Sequence, residues 1–382
     1  MAYPDAPYTW PCPPTDGLGP WRNRHLRLLA RRVLDWPDPL PSWAAQAWHA
    51  VREPLARVLK ESPAVFLGTL ALPTVGAALG GGDLVGGMPH LLLELARRGV
   101  LPEQGIFWSA PVRALVSPAL GAHRRFSPPR VGVLFQNGLV TVSPTEEWAL
   151  SPEVEPRAWP LAHGAWLLGA DTNPLAMFEA HPEKEGNGLD FGTATPAEWV
   201  AALDEARARI ARFAPELAHE HAQVLGGVVP VGTHGERSFS ASYKEAIGLV
   251  YVSLHTASVT MTEALVHEVQ HSKLNLLAWS DRLIENSGEL YKSPVRPDPR
   301  PLWGVLLAVH AFLPVARLHR AMLDAGAPEA DPARYRAVCE KNHEGMEVLR
   351  AAARPTATGL PLVQGLDRLE AALWAEREAY GG

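Results

Sequence analysis

Two histidines and a glutamate form the part of this sequence best suited to chemistry. His267, Glu268 and His271 lie in the string HEVQH, which follows the pattern HExxH. Residues four apart in an α-helix lie one turn apart on the same face, so both imidazoles could reach one metal ion. Neutral imidazole suits Zn(II), Fe(II), Ni(II) or Cu(II), and the spacing does not choose among them. The pattern predicts a mononuclear metal site in which Glu268 handles a proton or holds a bound water molecule.

The surroundings of the motif favour a metal site over a chance match. The motif lies in a stretch typical of a helix, Val259 to Trp279, and follows the strand-like string GLVYVSL. Leu265, Leu274 and Leu277 make the face around it apolar, so histidines there would be partly buried and would need a partner. The alternative is a pair of core or surface histidines that hold no metal.

A third protein ligand has several candidates. His310 lies in the apolar string LWGVLLAVHAFLPVARL, where a lone imidazole needs a hydrogen bond or a metal. Pro314 removes the backbone N–H that would bond the carbonyl of His310, so we expect a kink that could re-aim the side chain. A hydrogen-bonded core histidine is the other interpretation. Glu285 and Glu289 are rivals, as in metalloproteases that take a glutamate from a later helix. We prefer His310, then Glu289.

Three cations lie between the motif and His310, in the proline-rich string YKSPVRPDPRPLWG. They are Lys292, Arg296 and Arg300. Proline would stiffen this loop and present the cations in fixed directions, and a bidentate arginine is the usual way to hold a carboxylate. The alternative is a solvated loop whose arginines cap helix ends or pair with Asp298.

Composition restricts the class of protein. The 382 residues are 47% hydrophobic and 20% charged, with a net charge of -6, which is typical of a folded soluble protein. Nothing in the charge pattern indicates nucleic-acid binding or a membrane-surface patch. The start of the chain lacks the features of a signal peptide, and the most apolar segment, Ala64 to Leu79, is too short to span a bilayer. Cys12 and Cys339 cannot form a disulfide framework. We therefore expect a cytoplasmic protein.

The elements around the motif predict a mostly helical α+β fold with a central short-stranded region. We expect a helical region over residues 1–120, a mixed α/β region over 121–235 and a mainly helical metal-site region over 236–382. Asn137-Gly138 is a hairpin-turn signal between two strand-like runs. Helices are predicted over 21–36, 44–61, 88–98, 196–213, 259–279, 302–323, 331–353 and 360–380, and strands over 131–136, 139–143, 159–169, 172–178, 225–230, 238–242 and 248–254.

Longer strings around the motif resemble a known family. LVHEVQHSKLNLL followed by LYKSPVRPDPRPLWGVLLAVHAFLPVARL is similar to the HExxH-type proteins found with ribosomally made, post-translationally modified peptides. That family is described as iron- and 2-oxoglutarate-dependent peptide β-hydroxylases. The upstream SFSASYKEAIGLVYVSL also resembles the family, and ALPTVGAAL does so more weakly. The close match covers Ser238 to Leu318, about a fifth of the chain, and HE-QHSKLN together with DPRPLWG is more specific than HExxH alone.

The resemblance implies Fe(II) held by His267, His271 and a downstream histidine, for which His310 is the matching candidate and His319 an alternative. Two further positions on the metal would take 2-oxoglutarate and one would take O2. Glu268 would then orient a ligand or water rather than act as the general base of a protease.

The resemblance also implies how the cosubstrate is held. Arg296 or Arg300 would bind the far carboxylate of 2-oxoglutarate, with Lys292 in the same loop and Arg317 as an alternative. Ser240 and Ser242 are candidate polar contacts to cosubstrate or substrate.

The activity implied is hydroxylation of a side-chain β-carbon in a ribosomally made peptide, with succinate and CO2 as coproducts. Such a substrate needs an open groove, which we expect to pass the motif between the central strands and the C-terminal helices. One alternative is a zinc metallopeptidase with Glu268 as base and Glu289 as ligand. A second is a non-catalytic peptide-binding partner of another modifying enzyme.

Overall fold

A computed structural model describes residues 18–143, 145–176, 188–233, 238–255, 257–293 and 296–380, with backbone alone at 163, 296 and 297. Within these ranges the chain forms eleven α-helices and four small sheets. The predicted α+β class, mostly helical with a helical C-terminal third, is confirmed.

The first described segment is helical. It contains α1 (Gly19–Leu34), α2 (Ser42–Glu61), α3 (Pro63–Leu70), α4 (Pro73–Gly80) and α5 (Leu84–Arg97). Gly99 adopts a left-handed conformation with φ 70° just beyond α5, as its place after a helix predicts. The apolar segment over 64–79 forms α3 and α4, which meet at 76°.

Six strands follow. They are β1 (Ile106–Trp108), β2 (Val112–Ser117), β3 (Ala122–Arg130), β4 (Val133–Gln136), β5 (Leu139–Ser143) and β6 (Glu146–Ala149). β2 and β3 pair with each other, and the others form an antiparallel sheet in the order β1-β4-β5-β6. The predicted hairpin is confirmed, because Gln136 pairs with Leu139 across the Asn137-Gly138 turn.

A mixed sheet and two helices form the centre of the chain. These are β7 (Ala158–Pro160), β8 (Trp166–Leu168), α6 (Pro196–Phe213), α7 (Pro215–Val224), β9 (Gly227–Val231), β10 (Ser240–Ser242) and β11 (Leu249–Ser253). The sheet order is β10-β11-β9-β8-β7, with β9 parallel to both β8 and β11. No strand forms over 172–176, so that prediction is wrong there, and residues 177–178 lie outside the described ranges.

The C-terminal part contains α8 (Ser258–Ala278), β12 (Leu290–Ser293), β13 (Arg296–Pro301), α9 (Leu302–Asp324), α10 (Pro332–Ala352) and α11 (Gly359–Glu376). α8 packs against α9, α6, β10 and β11. The proline-rich stretch, predicted as a loop, pairs as the β12–β13 hairpin. α9 continues through Pro314.

The mixed sheet divides two cores. Val250 and Val252 of β11 face the large core that contains α8 and α9, whereas Tyr251 faces a smaller core with Ala77 of α4. This alternation follows from the two-residue repeat of a strand. A third core joins buried residues between 26 and 148. The three-region division of the chain stays a prediction.

One described helix, α9, is long and apolar enough to cross a membrane, and the bent α3–α4 pair would raise the number to two. The most apolar stretch of α9 is 72% buried inside the protein, as in the core helix of a soluble protein. The described residues thus carry no positive signal for membrane insertion.

Candidate metal centre

The predicted metal motif lies in the middle of α8. β11 precedes this helix in the chain, and both elements pack into the same core. Leu265, Val266, Val269 and Leu274 are fully buried on α8. Burial on both sides of the motif fixes the helix, so the backbone that carries His267 and His271 is held by packing rather than by helix propensity alone.

The motif side chains converge. Ligand atoms of His267, Glu268 and His271 lie within 4.8 Å of one another, the only such group of three found in the described part of the chain. The two imidazole rings are 4.3 Å apart between centroids. Phe312 of α9 lies 4.4 Å from His267, which covers one side of that ring with apolar surface.

Electrostatics keeps both histidines neutral. Burial lowers the pKa of His267 to about 4, against an opposing effect of Glu263. Burial also lowers the pKa of His271 well below its usual value, and charge on His267 and His310 lowers it further. The Nδ1 atoms of both rings are buried without a hydrogen-bond partner. Neutral imidazole is the form that binds metals, so this donor set fits a metal ion.

Glu268 is buried and held from the sheet. Its Oε2 accepts a hydrogen bond from the Ser242 hydroxyl at 2.8 Å. Ser240 and Ser242 pair with Val252 and Val250, which face the core around α8, so both serines lie on the α8 side of the edge strand β10. The structure thus brings Ser242 to the motif and places Ser240 two residues along the same face.

His310 is fully buried on α9 but is not part of the group of converging atoms. Burial lowers its pKa well below the usual value, the charge of Lys273 lowers it further, and the Gln270 backbone acts in the opposite direction. Neither ring nitrogen makes a hydrogen bond of normal distance and angle, although the Gln270 carbonyl lies close enough to favour the protonated ring. His310 therefore lies near the α8 face of Gln270 and Lys273, and its role as third ligand stays a prediction.

The rival glutamates lie elsewhere. Glu289 is exposed and accepts hydrogen bonds from Asn286, Tyr291 and Arg354. Glu285 is also exposed. Neither belongs to the converging group.

His319 forms a different cluster. Its Nε2 lies 2.6 Å from Glu263, which also accepts two hydrogen bonds from Arg334. Burial alone would raise the pKa of Glu263, but His319 and Arg334 outweigh it and the pKa falls to about 2. Glu263 lies one helical turn before His267, so this cluster packs beside the motif without joining it.

The predicted cosubstrate cations are spread over the hairpin and α9. The Arg300 guanidinium is three-quarters buried, lies 3.3 Å from Asp298, and has Nε and Nη2 without a hydrogen-bond partner. Lys292 is exposed and lines a groove with Glu344 and Glu347 of α10. Arg317 pairs with Glu216 of α7 at 2.8 Å. The Arg296 side chain lies outside what the structure describes.

A buried ion pair behind the motif was not predicted from the sequence. Lys273, with no exposed side-chain surface, lies 2.8 Å from Glu220 of α7, and Gln270 also donates to Glu220 at 2.8 Å. Gln270 and Lys273 stand three apart in HEVQHSK, on one helix face. A lysine in so apolar a helix signals an acidic partner, but nothing in the sequence identifies Glu220 as that partner.

Comparison with known proteins assigns no family. No protein-family model matches the chain, and no curated protein matches it. Function is therefore inferred from the site itself and from the resemblance in the motif strings.

Proposed function

We propose that this chain is an Fe(II)- and 2-oxoglutarate-dependent hydroxylase that acts on a β-carbon of a ribosomally made peptide in the cytoplasm. The observation that carries the proposal is the convergence of two neutral imidazoles, His267 and His271, whose buried Nδ1 atoms lack partners. A buried polar atom without a partner costs free energy, and a metal bound through Nδ1 of either ring would remove that cost. The choice of iron rests on the resemblance around the motif.

His267 and His271 would hold the iron, with His310 as the proposed third ligand. Fe(II) with 2-oxoglutarate and O2 supplies the oxidising power for hydroxylation, with succinate and CO2 as coproducts. Phe312, against the His267 ring, would limit the access of water to that side of the site.

Glu268 would orient a water molecule or ligand beside the two histidines. The Ser242 hydroxyl donates a hydrogen bond to Oε2 of Glu268, which helps to hold the carboxylate in one orientation beside the two histidines. Ser242 belongs to a strand, and a side chain on a strand is held more rigidly than one on a loop.

Arg300 is the best described candidate for the far carboxylate of 2-oxoglutarate. Its buried Nη2 lacks a hydrogen-bond partner, whereas Nε faces Asp298 at 3.3 Å, and a guanidinium can bind a carboxylate through parallel hydrogen bonds. Arg296, on the same strand β13, shares the proposed role.

The peptide would pass along β10. This strand is at the edge of the mixed sheet and pairs only with β11 among the described strands. An extended peptide can add to a free sheet edge through its backbone, and here that edge carries Ser240 and Ser242 on the side of α8.

A zinc peptidase is the second candidate, because the Glu268 carboxylate lies within the converging group, where a general base would be needed. Its proposed ligand Glu289 is, however, exposed and bound to three other side chains. This position favours the oxygenase.

Anaerobic addition of Fe(II) and 2-oxoglutarate separates the two candidates. The oxygenase should show the weak visible charge-transfer band of a chelated Fe(II)–2-oxoglutarate complex only when both are present, and His267→Ala should lack it. Recovery of tightly bound zinc, no band and cleavage of peptides would replace the proposal with the peptidase.

A further inference from the structure

A second cluster of polar side chains lies away from the metal motif, between α6 and α7. A cavity of about 280 Å³ is lined by both helices, with Arg207 and His221 in its wall and His219 at its rim. This volume is just below the roughly 300–1,000 Å³ of small-molecule pockets, so the space suits a small ligand.

Arg207 is a buried cation without an ion pair. It is 4% exposed, its Nη1 has no hydrogen-bond partner, and no described carboxylate lies within salt-bridge distance. Burying an uncompensated charge is costly. Arginine stays charged in proteins, so the cost is relieved by a bound anion rather than by loss of a proton.

Three carboxylates of α6 and α7 have close partners other than Arg207. Asp204 accepts the backbone N–H of Ala162, Glu216 pairs with Arg317, and Glu220 binds Gln270 and Lys273. By contrast, Arg209 on the same helix has two carboxylate partners, Glu205 and Glu329. Arg207 is thus buried without an ion pair: Asp204 favours its charged form electrostatically, but burial outweighs that effect and lowers the pKa of the guanidinium.

His221 adds a donor to the same wall. It is 1% exposed and both ring nitrogens lack partners. Burial, and then the nearby charge of Arg207, lower its pKa to about 3, so the ring is neutral at pH 7 and carries one N–H that can donate. A guanidinium and an N–H in one wall match the oxygen atoms of an anion.

We propose that the cavity between α6 and α7 binds a small oxyanion, a phosphate or carboxylate group, through Arg207 and His221. The site is separate from the HExxH centre and does not depend on the function proposed for it.

The test is titration of metal-free protein with inorganic phosphate or succinate, at constant ionic strength set with sodium chloride, followed by calorimetry. Wild type should bind one of these anions saturably at one site per chain. Arg207→Gln should bind it at least about tenfold more weakly, the loss of roughly one charge-assisted hydrogen bond. Arg212→Gln, which removes an exposed arginine from the same helix, should match wild type.

Two further readouts keep the test decisive. Without anion, Arg207→Gln should melt higher than wild type, because a buried charge without an ion pair is removed. In wild type, phosphate or succinate should shift the NMR signals of the His221 ring, and His267→Ala should bind the anion as wild type does. Preference between the two anions would identify phosphate or carboxylate as the group bound. Equal binding by wild type and Arg207→Gln, or no saturable binding of either anion, would overturn the proposal.

Discussion

At the scale of single residues, burial determines what the motif side chains can do. His267 and His271 are neutral because their surroundings disfavour the charged form, and neutral rings are ready to bind a metal without first losing a proton. The Glu268 carboxylate accepts a hydrogen bond from the Ser242 hydroxyl of the edge strand β10. The arrangement therefore fits the proposal that a metal ion binds beside this carboxylate.

Removing the Ser242 hydroxyl tests that arrangement. Ser242→Ala should keep iron but slow succinate formation by roughly 10- to 100-fold, the value of a lost hydrogen bond to a charged group. Ser151→Ala, which removes an exposed serine hydroxyl after β6, is the control and should keep the rate of the wild type. Equal rates for wild type and Ser242→Ala would remove Ser242 from the account.

His310 provides a second residue-scale test. If it is the third ligand, His310→Ala should lose Fe(II) binding and succinate formation together, as measured by metal analysis and a succinate assay. Full iron content with only a lower melting temperature would instead make His310 a structural member of the cluster with Gln270 and Lys273.

At the scale of elements, α8 is fixed from two sides. α9 runs antiparallel to it, since Glu263 meets His319 while His267 meets Phe312. Further along α8, Glu220 of α7 binds Gln270 and Lys273. The motif helix is thus tied by buried polar contacts as well as by apolar packing.

Breaking the buried ion pair should be costly. Lys273→Met leaves the Glu220 carboxylate buried without its cation, so the free energy of unfolding should fall by about 3–5 kcal/mol in urea denaturation. Glu205→Gln, which breaks a pair whose carboxylate is 57% exposed, should change it by less than about 1 kcal/mol. Similar losses in free energy of unfolding in both variants would show that burial of the Lys273–Glu220 pair does not determine how much it stabilises the fold.

Much of this arrangement follows from local sequence. Thr195 and Glu198 form the capping box that starts α6, and Asn137-Gly138 fixes the β4–β5 register, so local signals predict both. The β12–β13 hairpin was missed because its prolines argue against strands. The Glu220–Lys273 pair and the Glu263 cluster depend on contacts between distant segments, which no local pattern encodes.

At the scale of the whole molecule, buried neutral histidines make stability depend on pH. Burial lowers the pKa to about 4 for His25, His90 and His267, and to about 3 for His221. Between pH 6.5 and 4 the unfolded chain binds protons at these positions and the folded chain does not. The free energy of unfolding therefore falls as pH decreases through this window.

Urea denaturation from pH 7.5 to 4.5, on protein from which metal has been removed with a chelator, checks this dependence. Each such histidine should remove about 1.4 kcal/mol at one pH unit below 6.5, so the urea midpoint should drop steeply below pH 6.5. A midpoint that stays constant down to pH 5 would mean that these rings are protonated in the folded protein.

Metal content measured after anaerobic Fe(II) loading and gel filtration tests the proposal that His267 and His271 hold a metal ion. Wild type and His49→Ala, which removes an exposed histidine, should each retain one iron per chain, whereas His267→Ala and His271→Ala should retain almost none. Equal iron content in all four proteins, or none in wild type, would contradict the claim.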